Sequence, residues 1–305
     1  MRQLILKRLW QAVLVLVIVS ILSFLLVYLS GDPVKALVPL DASPADMENI
    51  KVQFGLDRPI YIQYITFVKQ AFKGDLGDSF RYRQESLKLV LQRLPTTLQL
   101  VAFAVLIAVC VSIPLGIFTA VRKNSIYDHI GVVASLSCIS LPGFWAGILL
   151  ILFFAGYLQW FPPSGRGGLS HLVLPAVANS LHLIGLFTRL TRASMVDELE
   201  KSYVVALRAK GVPRWILQYK HALKNSLIPI VTVVGLQFGA LLGGSVIIET
   251  VFAWPGIGWL LYSAITMRDL PLIRATVLVI SLLFVMINFI VDVLYAVIDP
   301  KIRYT

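Results

Sequence analysis

Long apolar runs separated by shorter polar segments dominate the pattern of this 305-residue chain. A helix needs about 20 residues to cross the roughly 30 Å of hydrocarbon in a bilayer. Six runs reach that length, at about 9–29, 98–121, 132–157, 172–190, 226–251 and 275–298. The fourth run is the least regular, because Pro175, Asn179 and His182 interrupt it. The pattern therefore predicts an all-α integral membrane protein with six transmembrane helices, embedded in a lipid bilayer.

Lysine and arginine are distributed unequally between the two sides of this predicted bundle. With the N-terminus inside, fifteen of them fall in inner segments and three fall in the two short outer loops. The remaining nine lie in the first loop, whose length makes its charge a poor guide to orientation. Because inner loops carry the excess of cations, both termini are predicted to lie in the cytoplasm.

The first loop, residues 30–97, carries the signals of a folded helical segment on the outer side. Residues 43–46 (Ser-Pro-Ala-Asp) form a typical helix start, with a capping serine, a proline and an acid in the first turn. A second helix is predicted from Pro59 to about Phe72, ended by Gly74, and a third over about Glu85–Leu94. The segment can be a cap packed on the bundle or a docking surface for an extracytoplasmic partner, and both interpretations can hold together.

An inner basic segment, Arg189–Lys224, lies between the fourth and fifth spans. It contains eight lysines and arginines against three acids, which predicts a cytoplasmic position. A patterned helix over Tyr203–Gly211 has no lipid to face there, so we expect it to face another protein. The chain is thus divided into the N-terminus with the first span (1–29), the outer helical loop (30–97) and a five-helix core (98–305) that includes an inner loop at 191–225.

Composition and motifs exclude several classes of function. The chain is 58% hydrophobic and only 14% charged, which is too apolar for a soluble domain of this length. Its net charge of +11 comes from cations beside the spans, which favours topology and anionic lipid over nucleic acid. The sequence has no phosphate-binding loop for ATP and no hydrolase or metalloprotease motif. No metal site is expected either, since Cys110 and Cys138 lie in apolar runs and the histidines are scattered (His129, His171, His182 and His221).

Glycines, prolines and polar residues inside the spans give two further groups of candidate residues. Gly235, Gly239 and Gly243 share one helix face and indicate close helix packing, either within the bundle or with a second membrane subunit. Interruptions of apolar helices often line a transport pathway, and intramembrane acids are often functional. The candidates for a pathway or gate are Pro142, Trp145, Gln237, Glu249 and Trp254.

Short sequence pieces, in order along the chain, connect it with one known family. They are Gly31-Asp32-Pro33, Gly55 to Pro59, Gly74 to Gly77, Ala206 to Gly211, His221 to Asn225, Glu249 to Gly258 and Asp299 to Arg303. On these pieces, the chain resembles permease subunits of the binding-protein-dependent ABC importers, specifically the dipeptide, oligopeptide and nickel group. The resemblance covers essentially the whole length.

The family carries a cytoplasmic "EAA" motif: Glu-Ala-Ala, three residues, Gly, nine residues, then Ile-x-Leu-Pro. Here Ala206 and Gly211 match, whereas Val205 and Leu207 replace the glutamate and the second alanine. His221 to Lys224 stands in the place of Ile-x-Leu-Pro. These departures bear on which side chains contact an ATPase more than on where the contact occurs.

The resemblance implies a permease subunit in a bacterial inner membrane. A second permease chain, usually non-identical, would complete the pathway, two ATPase subunits would bind ATP and Mg, and an extracytoplasmic solute-binding protein would deliver the solute. The chain itself would be no enzyme and would bind no cofactor. Its ATPase-coupling residues would be Tyr203, Ala206, Arg208, Ala209, Lys210, Gly211 and His221.

The sequence leaves the substrate open among dipeptides, longer peptides, glutathione-like molecules and nickel chelates. The alternative function is an ion-coupled secondary transporter, which would need an ion site near the membrane midplane and an internal repeat. Neither is recognisable in the sequence. A membrane-embedded enzyme would need paired acids, a nucleophile or metal ligands at membrane depth, and these are not recognisable either.

Overall fold

The computed structural model describes residues 2–29 and 57–298, together with residues 45, 47, 48 and 52. The helix start expected at Ser43 and Pro44 lies outside the described residues, as do the pieces Gly31-Asp32-Pro33 and Asp299 to Arg303. Over the described ranges the chain is helical, and the β-structure is limited to one isolated bridge between Asp78 and Glu85. The all-α prediction is confirmed.

Eleven helices account for the described part of the chain. They are α1 (Arg2–Leu29), α2 (Ile60–Ala71), α3 (Ser86–Val121), α4 (Ile126–Ser140), α5 (Gly143–Tyr157), α6 (Leu169–Leu199), α7 (Ser202–Ala209), α8 (Arg214–Gly244), α9 (Val246–Val251), α10 (Ile257–Thr266) and α11 (Leu270–Ile298). The end of α5 and the stretch Leu217–Ala222 of α8 are π-helical.

Five of these helices, α1, α3, α6, α8 and α11, are long and apolar enough to cross a membrane. The helices α4 and α5 form a sixth span if they are counted together, although they are bent by 99°. The hydrophobic pattern predicts a single run over 132–157, interrupted at Pro142, which is where the bend lies. Leu141 adopts an extended conformation with ψ 121° because the residue before a proline disfavours the helical region, and α4 ends there.

The chain divides into two compact units. The first contains residues 98–254 and 287–305, and the second contains residues 2–97 and 255–286, with Met1 grouped with the first. In the first unit, α6 is the central helix: it packs against α4, α5 and α8, and half of its apolar window is buried. Its main core cluster includes Leu100, Leu172, Ile248 and Trp254.

The second unit brings residues 57–97 together with the start of α11. Its core contains Val90, Ile257, Leu260 and Leu272. Asp269 is 1% exposed and accepts a hydrogen bond from the Ser79 hydroxyl at 2.5 Å. Its carboxylate also accepts from the backbone N–H groups of Phe80 and Arg81, both at 3.2 Å, and of Leu272 at 3.4 Å. A single buried acid therefore caps α11 and holds residues 79–81 against it.

The helix predicted from Pro59 to Phe72 is confirmed as α2, and Gly74, with φ +84°, follows its end. This helix packs on α1, where the ring of Phe24 lies 5.4 Å from that of Tyr64. The short helix expected at Glu85–Leu94 is wrong, because α3 continues through Pro95 to Val121. A proline removes one backbone donor. Burial of residues before and after it, such as Val90 and Leu100, outweighs that loss.

Candidate coupling site

A short helix, α7, occupies the turn between two spanning helices of the first unit. It begins after Lys201, whose φ and ψ of −65° and 148° are extended, and it runs from Ser202 to Ala209. Gly211 follows with φ +79°, a conformation that favours glycine and ends the helix. The helix expected in the inner basic segment is thus present, and its loop returns at Arg214 into α8.

The two faces of α7 differ in exposure and chemistry. Val204 is its one buried residue, while Tyr203 is half-buried. The outward positions combine small side chains with cations and include no acid: Val205 at 57% exposure, with Ala206, Arg208, Ala209 and Lys210 also exposed. Small residues permit close approach, and the cations can pair with acidic groups on another chain.

Behind α7 lies a cluster of hydrogen-bonded side chains centred on Glu198, at the end of α6. Glu198 is 5% exposed, and its Oε1 accepts from Tyr203 Oη at 2.7 Å and Asn225 Nδ2 at 2.8 Å. Lys201 Nζ contacts the other oxygen, Oε2. Asn225 Nδ2 also donates to Tyr203 Oη at 3.2 Å. We call Glu198, Lys201, Tyr203 and Asn225 the Glu198 cluster; it joins α6, α7 and α8.

The surroundings of Tyr203 favour the protonated, donor form of its phenol. Desolvation, followed by the hydrogen bond to the Glu198 carboxylate, raises the pKa of Tyr203 above its ordinary value. Since a phenol is protonated at neutral pH in any case, the raised pKa extends the donor form further into the alkaline range.

Further contacts join the end of α6 to the first half of α8. Ser226 Oγ donates to the backbone oxygen of Ser194 at 3.1 Å. Met195 and Ala222 are fully buried and belong to one apolar cluster with Ile117. The site therefore rests on both polar and apolar contacts between the two spans.

A second buried carboxylate lies at the start of α4. Asp128 accepts from Arg192 Nε at 2.5 Å and Arg192 Nη2 at 2.7 Å, a bidentate ion pair between α4 and α6. Its carboxylate also accepts from the backbone of Asn124 at 2.9 Å. In contrast, the pair between Lys123 and Glu200 is exposed at both side chains.

Comparison with known proteins places the chain in a family. Residues 112–304 match the family described as "Binding-protein-dependent transport system inner membrane component", and residues 1–101 match the N-terminal family of the same membrane components. The chain belongs to this family. It is a multi-pass membrane protein, an ABC importer permease subunit of the dipeptide, oligopeptide and nickel group.

Relatives in two organisms match over nearly their whole length. The glutathione transport system permease protein GsiC of Escherichia coli is 41% identical over 301 residues, which is 98% of each chain. A putative peptide transport system permease protein of Brucella abortus is 40% identical over 313 residues, covering both chains completely. The permease is therefore similar to these proteins from end to end.

A solved structure shows the same fold. The structure of the MetNI methionine ABC transporter in inward-facing conformations gives a TM-score of 0.55 at 16% identity, covering 69% of the permease and 96% of that chain. At this identity the match concerns the fold alone.

The predicted coupling residues lie in one stretch of the permease. Tyr203, Ala206, Arg208 and Ala209 lie in α7, and Lys210 and Gly211 follow it. His221 is half-buried in the π-helical stretch of α8. Their contact with an ATPase stays a prediction.

The glycine stripe occupies three different environments. A Cβ on Gly235 would lie 2.6 Å from Val291 Cγ2, so a glycine there permits α8 to approach α11 within the first unit. Gly239 is buried, whereas a Cβ on Gly243 would meet nothing within 4 Å. Packing within the chain therefore explains Gly235, and contact of Gly243 with a second subunit stays a prediction.

The candidate pathway residues also differ in their surroundings. Glu249 is fully buried and accepts from Ser245 Oγ at 3.2 Å, while Trp254 is 1% exposed in the core cluster. Trp145 is 46% exposed, Gln237 is half-buried, and Pro142 precedes the first residue of α5.

Within the described part of the chain, no group of three or more His, Cys, Asp or Glu side chains is placed to hold a metal ion.

The roles of Glu198 and Asp128 were not predicted from the sequence. Glu198 is one of three acids in a basic segment, and its partners Tyr203 and Asn225 follow it by five and 27 residues. Asp128 carried a usable signal. Ser125 accepts from the backbone of Asp128, the pattern of a serine followed three residues later by an acid that marks a helix start.

Proposed function

We propose that this permease imports peptides or a related small solute, such as glutathione or a nickel chelate, by ATP-driven alternating access. The names of two relatives, a glutathione transport system permease and a putative peptide transport system permease, support this substrate class. A second permease chain, a non-identical homologue, completes the pathway. Two ATPase subunits bind ATP and Mg and hydrolyse ATP, and an extracytoplasmic solute-binding protein delivers the solute. The assembly lies in a bacterial inner membrane.

The observation that carries the proposal is the outward face of α7. Ala206, Arg208 and Ala209 are exposed on a helix that follows one long span and precedes another. The excess of lysine and arginine around this turn supports a position on the cytoplasmic side, where the ATPases would be. Small and basic side chains suit a groove with an acidic rim.

In the proposed mechanism α7 sits in a groove of an ATPase subunit and follows its closure. The Glu198 cluster connects α7 to both α6 and α8, so movement of α7 tilts these two spans. Since α6 is the central helix of the first unit, its tilt changes which side of the membrane the pathway opens to.

The test is Ala206→Glu in the complete importer, which places an acid on the outward face without forcing a helix-breaking residue into α7. Since like charges across an interface cost several kcal/mol, ATPase co-purification and ATP-driven uptake should each fall at least about tenfold. Ala206→Gln, which adds nearly the same bulk at the same exposed position without the charge, is the matched control and should keep ATPase co-purification and uptake close to wild type.

Unchanged ATPase association in Ala206→Glu would contradict docking through α7. Uptake by the chain alone in proteoliposomes, driven by an ion gradient without ATPase subunits, would support the secondary transporter instead.

A further inference from the structure

Glu198 differs from the other acids of the inner basic segment in its burial and in its partners. It is 5% exposed, whereas Glu200, two residues later, has a side chain that is 64% exposed. A buried carboxylate is costly unless hydrogen bonds and charge partners satisfy it. Here one oxygen accepts from Tyr203 and Asn225, and the other contacts Lys201.

The donors to Glu198 come from different elements. Glu198 belongs to α6, Tyr203 to α7 and Asn225 to α8. The hydrogen bond from Asn225 Nδ2 to Tyr203 Oη closes a triangle with Glu198 Oε1. Three short distances therefore define where the first turn of α7 lies relative to both spanning helices.

Apolar packing alone holds α7 weakly. Val204 is its one buried residue, and Val205 beside it is 57% exposed. One buried valine leaves the direction of a short helix poorly determined, whereas a hydrogen-bonded triangle determines distance and direction. The polar cluster thus adds a directional restraint on α7 that a single buried valine does not provide.

We infer that Glu198 is a positioning residue for energy coupling: it makes α7 move as one body with α6 and α8, so that ATPase closure reaches both spans. This inference rests on the proposed function. It assigns the transmission of movement to a residue that precedes the motif shared with the family.

The experiment uses the complete importer in proteoliposomes and measures ATP hydrolysis together with uptake of radiolabelled glutathione, or of a labelled dipeptide if wild type does not take up glutathione. Glu198→Leu removes both acceptor oxygens and leaves the Tyr203 and Asn225 donors without their shared partner. We expect ATP hydrolysis to persist and solute uptake per ATP to fall about tenfold. Glu198→Gln keeps one carbonyl oxygen for these donors and should restore the ratio to within about threefold of wild type.

Glu200→Leu is the matched control, because it removes an exposed acid from the same turn. Its uptake per ATP should equal that of wild type. Hydrogen exchange provides a second readout: the amides of Ser202–Ala209 should exchange faster in Glu198→Leu and remain unchanged in Glu200→Leu.

A merely structural role would lower the amount of folded Glu198→Leu protein and leave the uptake per ATP of the surviving complexes unchanged, and that result overturns the inference. If Glu198→Leu does not fold, Tyr203→Phe removes a single hydroxyl donor and should reduce the ratio by a smaller factor; a wild-type ratio in that variant also overturns it. Failure of the proposed function looks different, since Ala206→Glu would then retain its ATPase and its uptake.

Discussion

Two buried carboxylates, Glu198 in the inner basic segment and Asp269 in the second unit, each hold a loop against a spanning helix, but with different kinds of donor. Asp269 accepts from three backbone N–H groups and the Ser79 hydroxyl. The Glu198 carboxylate accepts hydrogen bonds from three side chains, those of Lys201, Tyr203 and Asn225.

This difference shows how each contact can be tested. Backbone donors are fixed by the path of the chain, so the contact to residues 79–81 can be removed only by changing the acceptor, Asp269. Side-chain donors belong to single residues, so substitution can remove them one at a time. The Glu198 cluster therefore ties α7 to α6 and α8 through separable contacts, whereas the Asp269 contact depends on one carboxylate.

The largest effect is expected at Asp128, a third buried carboxylate that combines both kinds of donor, the Arg192 side chain and the backbone N–H of Asn124. Arg192→Leu leaves Asp128 buried, at 4% side-chain exposure, without its bidentate partner. Breaking a buried pair by removing one member costs about 3–5 kcal/mol. The free energy of unfolding, measured by heat or detergent denaturation, should therefore fall by that amount. Arg189→Leu, at an exposed arginine of the same helix, is the control. An equal shift in both variants would mean that the pair contributes no more than any arginine at this end of α6.

The next largest effect is expected at Asp269. Asp269→Ala leaves the Ser79 hydroxyl and the Phe80 and Arg81 amides without this acceptor. We expect the free energy of unfolding to fall by about 3 kcal/mol. Tryptic cleavage after Arg81 should become faster, because the segment is released from α11. The control is Asp75→Ala, an exposed acid of the same segment whose carboxylate accepts from Gly77 at 2.9 Å. Unchanged cleavage in Asp269→Ala would show that this carboxylate does not hold residues 79–81 against α11.

Sequence analysis predicted the features that depend on local pattern. Apolar run length located the spans, and the proline at position 142 marked the bend between α4 and α5. It shortened α6 to 172–190, whereas the helix runs from Leu169 to Leu199. The reason is that hydropathy treats Arg192 and Glu198 as the end of an apolar run, although each is paired with a distant residue. Such pairing depends on tertiary contact and leaves no local signal.

Within the candidate site, the helix expected over Tyr203–Gly211 corresponds to α7, Ser202–Ala209. The contact of its outward face with an ATPase is implied by the family resemblance and stays a prediction. The side that holds α7 in place could not be found, because Asn225 lies 27 residues from Glu198. Identification of the family located the segment, and only the structure shows what supports it.

The smallest effect, and the sharpest test of the docking face, is expected at Gly211. Its φ of +79° is tolerated by asparagine and aspartate better than by other side chains, and a Cβ there meets nothing within 4 Å. Gly211→Asn and Gly211→Asp therefore share their backbone strain and their size, and they differ by one negative charge next to Arg208 and Lys210. If α7 docks on an acidic rim, uptake per ATP should fall about tenfold in the aspartate variant relative to the asparagine variant. An equal loss in both would assign the effect to the backbone at the end of α7. Normal transport in both would move the docking face away from this end of the helix, while the predicted role of Glu198 would stand or fall on its own measurement.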